Sequence, residues 1–291
     1  VARADYSALA SATRFLACPE CARTQRDAAA LELEPRARAL RCAAGHSFDI
    51  AKQGYVSLLT GASTKMTGDS ATMLDARAAF HRGGHFAPIA EAVAGAVSDC
   101  PPEGALLEVG AGTGYYLAHA LEATAVGVGI AVDVAKPAVR RCARAHPRAA
   151  AVLADAWREL PIRTGALTGV IAVFAPRNPG EVARVLADDG RFVVATPTER
   201  HLGEVIGPLG MVRVDPDKDR RLEAAMAGHF EPLGRRLVEY SMTLAGSEVA
   251  NVVGMGPSAH HASASAERGM HLPPSVEVTA SVSIGIYRPA T

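Results

Sequence analysis

The stretch LLEVGAGTGYY, Leu106 to Tyr116, decides the fold. Ala105 to Val109 is a short apolar run closed by glycine, which predicts a buried strand. Gly110, Gly112 and Gly114 then form a G-x-G-x-G turn, where missing β-carbons let a ligand approach the backbone. A helix is expected next, its free N–H groups aimed at whatever occupies the turn. The plainer alternative is a tight strand-to-helix turn with no ligand.

Small departures from the dinucleotide pattern select the nucleotide. The NAD fingerprint G-x-G-x-x-G would place its last glycine where this chain has Tyr115. Glu108, two residues before the first glycine, lies at the carboxyl end of the expected strand. An anion there suits the sulfonium and ammonium of S-adenosylmethionine and repels a pyrophosphate. The run E-V-G-A-G-T-G resembles the first motif of Rossmann-like methyltransferases.

Composition bounds the rest. With 291 residues, 49% hydrophobic and 21% charged, the chain can bury one large core and a small satellite. No apolar run is long enough to cross a bilayer. The opening VARADYSALASATRFLA is broken by Arg14 and lacks a secretory apolar core, so a cytoplasmic location is expected. A formal net charge of zero means that RNA affinity must come from local patches, such as Arg36, Arg38 and Arg41, or Arg140, Arg141 and Arg144. Solvated faces are the alternative reading of both clusters.

Five cysteines, an odd number, argue against a disulfide framework. Cys18-x-x-Cys21 and Cys42-x-x-x-His46 are two chelating pairs separated by a linker, the arrangement tetrahedral Zn²⁺ requires. Pro19 and Gly45 suit the chelating turns, and Leu31, Leu33 and Leu40 suit a β-hairpin between them. A redox C-x-x-C competes for the first pair and leaves the second unexplained. Four ligands close the coordination sphere, so the metal would be structural, and its removal should unfold the module. Cys100 and Cys142 read as small hydrophobes.

Between Phe48 and Val97 the chain predicts a flexible loop over Thr60 to Gly68. A helix capped by Asp69 or Ser70 should run to Phe80 and stop at Gly83-Gly84, and a second should start near Pro88 and end before Cys100. The set of Cys18, Cys21, Cys42 and His46 with FDIAKQGYV (48–56), Gly68-Asp69-Ser70, Met73, Ala76-Arg77 and GHFAPI (84–89) resembles the 23S rRNA guanine-N1 methyltransferases. KPAVRRCARAHPRA (136–149), VFAPRNP (173–179) and VVGMGPS (252–258) are most similar to the actinobacterial branch associated with macrolide resistance. The gap between the zinc pairs is longer than the family pattern, and the segment after Met255 is shorter and more irregular where relatives carry a helix.

The remaining strands carry candidate site residues. Ala125 to Val132 ends at Asp133, 19 residues beyond Gly114, where a carboxylate accepts both ribose hydroxyls or merely caps the next helix. Ala150 to Leu153 is followed by Asp155, which the methyltransferase resemblance assigns to the adenine amino group. Trp157 packs the ring edge or the core. Leu167 to Phe174 delivers Ala175-Pro176-Arg177-Asn178 to the place where methyl transfer must occur. Guanine N1 loses its proton as charge spreads onto O6, so a cation there is stabilising. Arg177 is the candidate, with a phosphate contact or helix cap as its alternative, and Asn178 could bond the base edge. Arg191 to Thr196 forms the fifth strand. The family resemblance further implies cofactor contacts from His201, from Phe86 and from Tyr116-Leu117. Arg235 to Leu244 and Val276 to Tyr287 alternate as an antiparallel closing pair. His260 and His261 read as loop residues.

These readings give an α/β chain: a Rossmann-like methyltransferase domain with a seven-stranded mixed sheet over 101–291, a tail over 1–14, a zinc-binding module over 15–50 and a helical connector over 51–100. The expected activity is methyl transfer from S-adenosylmethionine to N1 of a guanine in a 23S rRNA hairpin near the macrolide site, with zinc finger and catalytic domain forming the RNA cleft. Relatives also imply a homodimer. Competing readings are a small-molecule methyltransferase with a structural finger, and an inactive binding module.

Overall fold

The fold was established from a computed structural model, which describes residues 6–24, 29–60, 64, 66–256 and 274–290. At the N-terminus lie α1 (Ser7–Ala12), α2 (Pro19–Arg23), β1 (Leu31–Glu34), β2 (Ala39–Cys42) and β3 (Ser47–Asp49), followed by β4 (Tyr55–Ser57), α3 (Ala71–Arg82) and α4 (Ala87–Ala96). The central run is β5 (Ala105–Val109), α5 (Tyr115–Ala123), β6 (Val128–Asp133), α6 (Lys136–Cys142), β7 (Ala149–Leu153), β8 (Leu167–Val173), α7 (Pro179–Val185) and β9 (Leu186–Pro197). It ends with α8 (Gly203–Ile206), α9 (Lys218–Met226), β10 (Phe230–Ala245), α10 (Gly246–Met255) and β11 (Ser275–Pro289). The C-terminal segment expected to be irregular, with His260 and His261, lies outside the described residues.

One large sheet runs β10-β11-β9-β8-β5-β6-β7-β4. Strands β4 to β9 are parallel, and β10 and β11 close one edge as a long antiparallel pair. Burial on both faces explains why β5, β6 and β7 read as unbroken apolar runs rather than alternating ones. The sheet has one strand more than the seven expected, because Tyr55–Ser57 of the connector pairs in parallel with β7. The two connector helices form as anticipated, and Ser70 caps α3 by accepting from Met73 N–H at 3.2 Å.

The two faces are covered differently. Ile89, Leu117, Val139 and Val252 of α4, α5, α6 and α10 pack against Leu106, Ile171 and Val193 on one face. On the other, Leu9 of α1, Leu16, Leu31 and Leu40 share a core with Leu107, Ile130 and Val152, beside Val182 of α7 and Leu222 of α9. The crossover from β7 to β8 contains no helix. Instead α1 lies over β6 and β7, and the crossover is pinned to the N-terminal segment by Ala17 N–H donating to Pro161 O at 3.0 Å and Arg163 N–H to Phe15 O at 2.9 Å. The stretch expected as a tail therefore contributes a docked helix, since Leu9 and Ala12 find apolar cover only on the sheet.

Candidate functional site

Strands β1, β2 and β3 form a small antiparallel sheet that brings the four zinc candidates together. Cys18 precedes α2, where Pro19 needs no amide partner, and Gly45 adopts φ +86° in the turn that returns His46 towards Cys42. Cys21 Sγ lies 3.8 Å from Cys42 Sγ, and His46 Nδ1 lies 3.4 Å from Cys18 and Cys42 Sγ and 3.5 Å from Cys21 Sγ. Tetrahedral Zn–S bonds of about 2.3 Å separate their sulfurs by about 3.8 Å, whereas a disulfide would hold them at about 2 Å. Donor set and spacing fit structural zinc.

The second site is a cavity of about 1130 Å³ at the carboxyl ends of the parallel strands. That exceeds the roughly 300–1,000 Å³ of a typical small-molecule pocket, leaving room for a second ligand group. Loops after five strands converge on it, through Gly110, Asp133, Asp155, Arg177 and His201, where the strand order reverses about β5 and β8. The connector and α10 roof it. Arg77 donates to Asp69 Oδ2 at 2.5 Å and to Met255 O at 2.7 Å, tying the two together.

The acidic residues gather at one part of the cavity. Glu108 is 2% exposed, accepts from Leu117 N–H at 3.0 Å, and burial pushes its pKa up to about 8. A carboxyl so desolvated holds its proton when alone and ionises when a cation lies beside it. Asp133 accepts from Gly112 N–H at 2.9 Å and Ala135 N–H at 2.8 Å, so it shapes the turn and caps α6 while still facing the cavity. Its free lone pairs remain for ribose hydroxyls. Asp155 accepts from Thr64 Oγ1 at 2.6 Å and Trp157 N–H at 3.0 Å. Tyr116 Oη is buried against the cavity without a hydrogen-bond partner among the described residues, a polar atom that a polar ligand would satisfy. Phe86 lines the same wall. Ser281 N–H donates to Nδ1 of buried His201 at 3.1 Å, which leaves Nε2 as the donor of a neutral ring, and burial lowers its pKa to about 4. This constellation fits S-adenosylmethionine.

Other candidates do other work. Leu117 turns its side chain towards β6, where a β-carbon on Gly129 would meet it at 2.9 Å, so only its N–H serves the site, through Glu108. Asn178 is not presented to the cavity: it caps α7 by accepting from Glu181 N–H at 3.4 Å and donates to Trp157 O at 3.3 Å. Arg177 lines the cavity and is half-buried, with its pKa lowered by burial. The glycines also serve packing. Each has positive φ, and β-carbons on Gly110, Gly112 and Gly114 would come within 3 Å of Ala175, Arg77 and Ala145.

The structure adds Lys218 and Phe174 to the residues that the sequence singled out, and it decides between the two readings of Trp157. Lys218, on α9, lines the cavity, and its pKa is lowered by burial and by Arg177. Trp157 is 51% exposed at the cavity, not in the core. Phe174 is exposed there too, at φ +52°. Met66, Trp157, Phe174 and Val212, four exposed large apolar residues, all border this one cavity.

Comparison with known proteins gives the family. The zinc-ribbon family described as RlmA, N-terminal, matches residues 16–63. The 23S rRNA (guanine(748)-N(1))-methyltransferase of Streptomyces fradiae is 42% identical over 281 residues, 95% of this chain and 97% of that protein. A Micromonospora griseorubida protein, provisionally named a 23S rRNA (guanine-N(1)-)-methyltransferase, is 43% identical over 94% of this chain and 97% of its own length. Among solved structures, geranyl diphosphate methyltransferase in complex with S-adenosylmethionine matches with a TM-score of 0.46 at 13% identity, over 78% of this chain and 93% of that one. With its zinc ribbon and cofactor cavity, the chain belongs to the S-adenosylmethionine-dependent 23S rRNA (guanine-N1)-methyltransferases.

Proposed function

We propose that the target is a guanine looped out of a 23S rRNA hairpin near the macrolide site, in the position corresponding to that named for the Streptomyces fradiae relative, and that its modification underlies macrolide resistance. The observation that carries this reading is the polarity of one continuous cavity. Glu108 of β5, Asp133 of β6 and Asp155 after β7 supply the acids, beside an Arg77 already paired with Asp69, and Arg177 after β8 and Lys218 of α9 supply the cations. Acids suit a cationic cofactor, and cations suit a nucleotide. When bound, S-adenosylmethionine supplies an electrophilic methyl group.

Glu108, Asp133, Asp155, Tyr116, Phe86 and His201 hold the cofactor side, with Gly110, Gly112 and Gly114 shaping the turn beneath it. Arg177 places positive charge against guanine O6 as the N1 proton passes to solvent water, and Lys218 meets a neighbouring phosphate. His201 does not act as base, because Nδ1 already accepts from Ser281 N–H. Orientation of N1 towards the methyl group then supplies much of the rate. N1 lies on the Watson–Crick edge, so the base must leave any pairing first. Leu233 and Leu237, exposed on the outer strand β10, offer apolar surface for the second copy of a homodimer. No helix among the described residues is long and apolar enough to cross a membrane, in keeping with work on cytoplasmic ribosomes.

Reverse transcription of 23S rRNA incubated with enzyme and S-adenosylmethionine tests the reading. Methylation at N1 blocks pairing, so a new stop beside one hairpin guanine is expected. An unmodified rRNA, with methyl transfer to a small-molecule extract instead, would overturn it.

A further inference from the structure

Phe174 directly follows β8 in a conformation that residues with side chains avoid: φ is +52°, one of three such non-glycine positions among the described residues. Its backbone is held there by its own N–H donating to Ala195 O at 3.1 Å. Glycine would sit at this φ without strain, yet the chain places a phenyl ring here and leaves it 40% exposed. The ring centroid lies 5.7 Å from His201, 6.1 Å from Phe86 and 6.4 Å from Tyr116, so an aromatic wall backs it while the rest opens into the cavity. Arg177 follows three residues later in the same loop. A strained, exposed aromatic at the mouth of a cofactor cavity is an arrangement that ligand contact, not packing, explains.

Building on the proposed function, we infer that Phe174 is the stacking platform for the extruded target purine, holding the ring while Arg177 addresses O6. A planar nucleobase covers the exposed ring face, and stacking tolerates any base, so Phe174 supplies capture and orientation whereas polar groups supply identity.

The test uses the full-length, zinc-loaded protein and a hairpin RNA containing the guanine mapped by reverse transcription. Phe174→Gly removes both ring and strain, and Phe174→Tyr and Phe174→Trp keep a π-face. The glycine variant should remain folded, bind S-adenosylmethionine within about twofold of wild type, and lose roughly tenfold to a hundredfold in kcat/KM for the RNA. Tyr and Trp variants should recover most of that loss. The inference is overturned if Phe174→Gly methylates the hairpin like wild type. It is equally overturned if cofactor affinity falls in parallel with activity, which is the result a purely structural wall gives. Wild-type enzyme that leaves 23S rRNA unmethylated would overturn the proposed function and this inference together, whereas normal wild-type methylation with an indifferent Phe174→Gly overturns the stacking role alone.

Discussion

With the cofactor placed as proposed, Glu108 is expected to couple its binding to pH. Burial lifts its pKa from 4.5 to about 8, so the folded, empty protein retains a proton that the unfolded chain gives up. The native state binds more protons between those values, and stability conferred by the neutral acid is therefore lost as pH rises towards 8. A cation beside the carboxylate lowers that pKa again. Cofactor binding below about pH 8 is thus expected to release a proton from Glu108 and to tighten as pH rises. Titration calorimetry in buffers of different ionisation enthalpy measures this. Glu108→Gln, which keeps an acceptor for Leu117 N–H, should abolish that release and weaken binding. Buffer-independent heats for wild type would refute the assignment.

At the scale of elements, α7 gives Asn178 a capping role. The helix follows directly on the loop that delivers Phe174 and Arg177, so its first turn fixes where that loop ends. Asn178 satisfies one of its otherwise open N–H groups. Replacing it with alanine should cost roughly 0.5–2 kcal/mol in urea denaturation, whereas Asn178→Asp, which keeps the cap and loses only the donor to Trp157 O, should recover most of that stability and preserve activity. A large loss of RNA methylation in the aspartate variant, with stability intact, would restore Asn178 to base recognition. The same loop explains why the sequence left two roles open for it. A polar side chain after Ala175-Pro176-Arg177 can serve a base or the next helix, and only the direction of its amide decides.

For the whole molecule, the zinc ribbon acts as part of the sheet's cover and not as a satellite. Cys18, Cys21 and Cys42 share a buried core with Leu107, Ile130 and Val152, and β4 extends the same chain segment into the main sheet. Loss of zinc should consequently bare one face of the sheet. Chelation, or Cys42→Ser, is expected to lower the Tm of the main unfolding transition, followed by calorimetry alongside circular dichroism. A separate low-temperature step that leaves the main transition in place would show the module to be independent.

Local rules made much of this chain legible. The apolar run, positive-φ turn and helix from Ala105 to Ala123, the zinc-ligand spacing and the Ser70 cap all depend on backbone preference or short-range geometry, which neighbouring residues dictate. Glu108 and Asp133 could be placed for the same reason, because strand ends in this fold share one edge, whereas Asp155 and His201 were reached through the family resemblance. Tertiary structure alone decided the rest. That α1 and the zinc module replace a crossover helix, that Lys218 joins Arg177, and that Phe174 is held strained and exposed follow from contacts between residues far apart in sequence. Such contacts leave no periodicity or spacing to read, since apolar burial has no direction and one face can be covered by any segment of suitable shape.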